Sequence, residues 1–264
     1  IPNMERLAAM GVKFTQAYAS SVSSPSRCSL LTGANAARHK VTNWTLTKNT
    51  STDEKHETLK MPQWNVNGVQ PVEGVPNSFP ATSLAAILSD NGYNTINCGK
   101  AHFGATDTPS ANPVNLGFNV NIAGHAAGGL ASYLGKERFG HNKNGEPVSG
   151  FAVPGLEEYW DEDVFITEVL TLEAIKALES SVEKKEPFFL YMSHYAVHVP
   201  LQADNRFVDK YLQRGLLQSE ANYASMVEGM DKSLGDLMDY LESKEVLENT
   251  VIIFMSDNGG YSLY

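Results

Sequence analysis

The chain has 264 residues, 42% of them apolar and 19% charged, with a formal net charge of -10 at neutral pH. That length and composition allow a sizeable core in one or two domains and exclude a disordered chain. The acidic balance argues against a surface that wraps polyanions, so nucleic acid is not an expected partner and any anionic ligand must be held by a local site.

Two cysteines, Cys28 and Cys98, are too few for a disulfide framework and lack metal-ligand spacing, so both are expected to be buried thiols. No stretch approaches the ~18 apolar residues that span a membrane as a helix, and no leader pattern opens the chain. The first predicted element is a helix in "IPNMERLAAMG", with Pro2 near its first position, Met4, Leu7 and Ala8 on one face and Gly11 as its stop. Starting on a helix with no preceding strand, and breaking off at "VIIFMSDNGGYSLY", the chain reads as part of a longer protein.

Val12, Phe14 and Tyr18 then suggest one face of a strand. "PSRCSLLTG" reads as a short helix with Ser24 as its cap, Pro25 at the first position and Gly33 beyond its end. Residues 44–80 lack periodicity and are expected to be irregular, either a substrate-facing excursion or a long loop. Helical spacing returns at Leu84, Ile87 and Leu88, ends at Gly92, and is followed by the strand-like "YNTINCGK".

A glycine-rich region spans about residues 117–150. Phe165, Val169, Leu172 and Ile175 repeat at helical spacing before the apolar run "PFFLYMSHYAVH". Tyr223, Met226, Val227, Met230, Leu234, Leu237, Met238 and Leu241 form a longer stripe before "TVIIFMSDNGG". Helices alternating with continuous apolar strands predict an α/β fold: a mostly parallel sheet covered by helices on both faces.

In such sheets ligands bind beyond the carboxyl ends of the strands. The residues at those places are Lys100 and His102, His194 and His198, and Asp257 and Asn258. A cation with a histidine, a histidine pair and two oxygen donors describe an anion site beside a hard metal. Each feature alone has a plainer reading: a solvated lysine, a packed histidine, a turn in "SDNGG". Their shared location at strand ends carries the case.

The stretch "SVSSPSRCSLLTG" adds a specific motif. Ser23, Ser24, Pro25, Ser26 and Arg27, then three residues, then Leu31, Thr32 and Gly33, resemble the signature of the type I sulfatases, the formylglycine-dependent family of the alkaline-phosphatase-like superfamily. "GKAHFG" is similar to that family's Gly-Lys-Trp-His-Leu-Gly block, "PFFLYMSHYAVHVPL" to its central strand and His-x-Pro loop, and "SDNGG" to its metal-binding strand end. The resemblance runs in order along residues 1–264, which it identifies as an incomplete N-terminal catalytic domain.

The resemblance implies that Ser23 is the residue a maturase oxidises to formylglycine, whose hydrated aldehyde supplies the nucleophilic hydroxyl. A plain serine attacking sulfur would leave a stable sulfate ester; a geminal diol collapses back to the aldehyde and expels sulfate. By the same resemblance Arg27 supports the diol, Lys100 pairs with sulfate oxygens, and His102 orients or deprotonates the diol. His198 protonates the leaving alcohol, and His194 supports from behind.

Ser23, Asp257 and Asn258 would bind a divalent cation, calcium before magnesium. The family's paired aspartates after its first strand, and its lysine after the "SDNGG" loop, have no counterpart in this chain. The 264 residues alone are therefore expected to hold calcium weakly and to be inactive. Ala101 and Phe103 depart from the family block without removing a catalytic atom.

The glycine-rich "GFNVNIAGHAAGGLASYLG" and the serine-type signature resemble those of bacterial glycan sulfatases, which implies a sulfated carbohydrate as substrate and a periplasmic or secreted location. Two alternatives stand: a phosphonate or phosphate monoesterase of the same superfamily, and a non-catalytic binder of sulfated glycans with Ser23 unmodified.

Overall fold

A computed structural model of the chain describes residues 1–52, 57–58 and 64–260. Its elements in chain order are α1 (Pro2–Met10), α2 (Ser23–Thr32), α3 (Ala36–His39), β1 (Val69–Gln70), β2 (Phe79–Pro80), α4 (Leu84–Asp90), β3 (Asn94–Gly99), β4 (Val120–Ile122), α5 (Ile166–Lys184), β5 (Phe188–Ser193), α6 (Val208–Gln213) and α7 (Gln218–Ser243), with short 3₁₀ turns between them.

Strands β4, β3 and β5 form a parallel sheet in that order, with Asn94 to Gly99 of β3 in register with Phe188 to Ser193 of β5. The central strand is buried from Thr95 onward, the polar Thr95 and Asn97 included, because it lies between two layers that cover both its faces. In β5 the faces alternate. Leu190 and Met192 pack with Cys98, Val169, Leu170, Tyr195 and Met226 on the α5–α7 side, while Phe189 and Tyr191 pack with Cys28, Leu31, Ala85, Phe103 and Phe118 on the α2–α4 side. The period of two along a strand thus feeds two cores at once. Both cysteines are free and buried, as expected, and burial pushes the Cys28 thiol up to about 12.

The carboxyl end of β3 meets that of β5 closely. Gly99 has φ +98°, and a Cβ there would stand 2.0 Å from the Ser193 carbonyl oxygen, so only glycine fits. The next residue, Lys100, donates its backbone N–H to that same carbonyl at 2.8 Å. This contact sets where the chain leaves the sheet and hence where Lys100 and His102 begin.

Several expected elements differ in detail. Ser23 and Ser24 lie inside α2, whose cap position is Val22, and Pro25 is the third helical residue; Gly33 closes the helix in the left-handed region as expected. Ser24 caps nothing because its hydroxyl is engaged elsewhere, as described below. In α4 the cap is Ser83, and Ala85 is the buried residue while Leu84 and Ile87 face outward. In α5 the buried stripe is Ile166, Val169, Leu170, Ala174 and Leu178, leaving Leu172 45% exposed. That offset follows from helical phase, since Ile166, Leu170, Ala174 and Leu178 are four apart.

Two expected strands do not form. Residues 12–18 and 251–256 carry no strand pairing among the described residues, and Val12, Phe14, Tyr18, Val251 and Ile253 are exposed. Apolar sequence predicts burial, but a strand exists only where a second backbone completes its ladder. No helix of the described residues is long and apolar enough to cross a membrane.

Candidate active site

Four segments meet beyond the carboxyl ends of β3 and β5: the first turns of α2, the loop after β3, the loop after β5 and residues 256–258. Arg27 is the hub. Its guanidinium is 6% exposed, and Nη1 donates to the Lys100 carbonyl at 3.0 Å, to Ser193 Oγ at 2.5 Å and to Tyr191 Oη at 3.3 Å. Its Nε donates to Ser23 Oγ at 2.8 Å and to Asp257 Oδ2 at 3.2 Å, and Nη2 reaches the same Asp257 oxygen at 3.1 Å. Ser23 and Arg27 are one helical turn apart, which is why the two side chains of α2 can meet.

Ser23 Oγ in turn donates to Asp257 Oδ2 at 2.8 Å. Its hydroxyl therefore sits between a fixed donor and a carboxylate acceptor. Lys100, 4% exposed, brings Nζ to 3.9 Å from Asp257 Oδ2. Burial, followed by the charge of Arg27, pushes the Lys100 ammonium down to about 7, with Asp257 only partly opposing. Burial works to raise the Asp257 carboxyl, but Arg27, Lys100 and the hydrogen bonds together hold it below the usual carboxylate range.

The histidines flank this centre. His102 is 3% exposed and bonds Ser24 Oγ through Nε2 at 2.9 Å, not Ser23. Burial first, then the charges of Lys100 and Arg27, keep it far below the usual histidine range and hence neutral. His198 stands at the exposed rim, where the Val199 carbonyl takes its Nδ1 at 2.9 Å. Partial burial is the main cause of its lowered pKa. His194 Nδ1 is buried without a hydrogen-bond partner among the described residues.

Sequence reasoning thus placed Ser23, Arg27, Lys100, His102, His198 and Asp257 in one region, and the structure brings them there. It missed Ser193 and Tyr191, which hold Arg27. The strand-end rule that selected Lys100 applies equally to Ser193. It also missed Thr45, which no local pattern marks, and Gly128 and Gly129. A Cβ on Gly128 would fall 2.2 Å from Cε1 of His102, and one on Gly129 2.9 Å from Cε1 of His198, so this pair of backbone positions backs both imidazoles.

The expected cation ligands can be tested against the same geometry. With its amide set so that donor meets acceptor, Asn258 donates to both Asp257 oxygens, at 2.6 and 3.2 Å. Asp257 is further engaged by Ser23, Arg27 and Lys100, and no cluster of three or more His, Cys, Asp or Glu residues able to hold a metal occurs among the described residues. One carboxylate with one amide and one hydroxyl falls short of the ~6 oxygens calcium takes. The described residues do not by themselves fit that ion.

Arg27 and Lys100 against Asp257 make the centre cationic when Lys100 is protonated, so it should attract an anion. Sulfate is expected to bind more tightly at pH 6 than at pH 8, because Lys100 loses its charge as pH rises through about 7. Calcium is expected to bind no tighter than about millimolar. Calorimetric titration of both ions at the two pH values checks this; Lys100→Met should weaken the pH dependence for sulfate, leaving the part that His198 contributes.

An α/β protein with Arg27 and Lys100 clustered at its parallel strand ends, beside the Ser23 hydroxyl, is of the class whose geometry suits an oxyanion ligand. The comparisons make that class specific. The Sulfatase family model matches residues 1–264, and the chain belongs to that family.

It is 30% identical to N-acetylgalactosamine-6-O-sulfatase of Bacteroides thetaiotaomicron, over 98% of this chain and 54% of that protein. It is 27% identical to N-acetylgalactosamine-6-sulfatase of Mus musculus, over 98% of this chain and 45% of that protein. Among solved structures, Ps i-CgsB in complex with k-i-k-neocarrahexaose superposes with a TM-score of 0.70 at 28% identity, over 92% of this chain and 50% of that one. The chain spans about half the length of the curated relatives it matches.

Proposed function

We propose that the protein hydrolyses sulfate esters of a sulfated carbohydrate, using a formylglycine made from Ser23. The observation that carries this reading is the position of Ser23. It heads the Ser-x-Pro-Ser-Arg signature and lies between the Arg27 guanidinium and the Asp257 carboxylate, with Lys100 adjoining. The names of the relatives support a sugar sulfate as the substrate class.

Oxidised by its maturase and hydrated, the residue would supply one hydroxyl to attack sulfur and a second whose deprotonation releases sulfate. The surrounding residues do the rest. Arg27 Nε orients the oxygen at this position, and Asp257 receives its proton. Arg27 and Lys100 place positive charge where sulfate oxygens gain negative charge, inside a buried site where such charge is not screened by water.

His198 donates Nδ1–H to the Val199 carbonyl, which leaves Nε2 to exchange a proton with the leaving alcohol. A bound sulfate opposes the burial and cation effects on that ring and raises its proton affinity. Asp257 and Asn258 would complete a cation site only with further oxygen ligands. By family analogy the protein works in the periplasm or outside the cell.

Assay of the matured protein with paired sulfate and phosphate monoesters tests the reaction, and intact mass of the peptide holding Ser23 tests the nucleophile. Sulfate release with Ser23 converted to formylglycine is expected. Faster phosphate or phosphonate release would favour the sister esterase activity, and an unmodified Ser23 without turnover would favour a glycan binder.

A further inference from the structure

The loop that leaves β4, residues 123–129, touches both imidazoles that flank the site. The His125 carbonyl accepts from the His102 backbone N–H at 3.1 Å, and Gly128 and Gly129 lie against the His102 and His198 rings. Where this loop stands therefore sets where the two rings stand.

Its first residue is in a costly conformation. Ala123 has φ +59°, in the left-handed region that a side-chain-bearing residue keeps only when its surroundings hold it there. Two hydrogen bonds from different strands do so. From the loop after β5, Tyr195 Oη donates to the Ala123 carbonyl at 2.7 Å. From β4 itself, Asn121 Nδ2 donates to the Gly124 carbonyl at 2.9 Å.

Each clamp is itself fixed. Tyr195 is 1% exposed, and burial raises its phenol pKa, so the hydroxyl keeps its proton to give. Asn97 is fully buried in β3, in register with Asn121, and its Nδ2 donates to Asn121 Oδ1 at 2.8 Å and to the Gly99 carbonyl at 3.2 Å. Both amide protons of Asn97 are thereby used, and the Asn121 amide is set with its nitrogen toward Gly124. A Cβ on Gly124 would fall 2.3 Å from Asn97 Nδ2 and 2.4 Å from Asn121 Oδ1, so the turn sits directly on this pair. The exits of β3, β4 and β5 are thus joined by polar side chains just where the ladder between the strands has ended.

We propose that Tyr195, Asn121 and Asn97 are positioning residues: together they hold the strained turn at Ala123, and through residues 125–129 they seat His102 and His198 at the site. The consequence for turnover rests on the sulfatase reading; the seating of the rings does not.

In the matured enzyme, Tyr195→Phe and Asn121→Ala are each expected to lower kcat by ~10–100-fold, the scale on which a misplacement of about 1 Å acts, with KM within about threefold. Tyr195→Phe removes a single oxygen atom and carries the test should Asn121→Ala not fold. Adding Ala123→Gly to Tyr195→Phe should bring kcat back to within about threefold of the parent, because glycine takes the left-handed conformation without steric cost. The Cε1–H NMR signals of His102 and His198, assigned with His102→Gln and His198→Gln, should move in Tyr195→Phe while that of His39, in α3, stays in place.

Unmoved His102 and His198 signals overturn the proposal. So do a kcat within about twofold of the parent in Tyr195→Phe, a loss carried by KM alone, or no recovery on adding Ala123→Gly. Should the protein hydrolyse no sulfate ester, the imidazole signals still decide whether the turn seats the rings. The two readings therefore fail separately.

Discussion

Ser23→Ala is expected to abolish turnover of the matured enzyme, with kcat falling on the order of 10⁴-fold or more, because no other side chain can replace a covalent nucleophile. The fold should barely notice. The lost hydroxyl accepts from Arg27 and donates to Asp257, yet those two remain paired directly through Nη2 at 3.1 Å, so neither charge is left alone. A stability loss of about 1 kcal/mol is the expected scale for one such hydrogen-bonding group. Steady-state kinetics and urea unfolding of the same variant separate the two effects. Turnover within tenfold of the parent would place the nucleophile elsewhere.

Arg27 is expected to behave in the opposite way, as a residue whose loss damages the fold as well as the site. Its buried guanidinium ties together α2, the carboxyl ends of β3 and β5, and Asp257, using all three nitrogens. Arg27→Met should cost about 3–5 kcal/mol, the scale for breaking one side of a buried ion pair. Arg27→Lys should recover only part of it, because a single ammonium cannot reproduce a planar fork that serves a carbonyl, three hydroxyls and a carboxylate at once. Urea denaturation midpoints of the two variants check this. A cost below about 1 kcal/mol for Arg27→Met would mean that the hub is not structural.

The two variants also explain why one short motif has such different residues in it. In Ser-Ser-Pro-Ser-Arg, the first serine faces the charged centre, the second faces Thr45 and His102, and Arg27 returns to the first serine one turn later. Ser26 reaches back to the Ser20 carbonyl at 3.2 Å and steadies the entrance to the helix. Read as a run of helix-favouring or capping residues, the motif makes no sense, since none of its serines caps α2.

The sequence alone determined the alternation of helices with apolar strands, and with it the parallel sheet. Hydrophobic periodicity is a local property, readable wherever a face is buried, as along α7 at Met226, Leu234, Met238 and Leu241. It also pointed to residues that the fold brings together: strand-end position to Lys100, His102, His198 and Asp257, and the signature to Ser23 and Arg27, without reference to any contact.

Tertiary structure decided what depends on a partner distant in sequence. Residues 12–18 and 251–256 have strand-like composition but no ladder among the described residues, because pairing belongs to two segments and not to one. The helical stripe of α5 shifted from Leu172 to Leu170 and Ala174, since several spacings fit a short apolar pattern and packing chooses among them. Thr45 and Gly128 entered the site only when the chain brought them to His102 from 57 and 26 residues away. The charge state of Lys100 was equally hidden: a lysine in a sequence is simply a cation, and only its burial beside Arg27 brings it to about 7, within reach of a change in pH or the arrival of an anion.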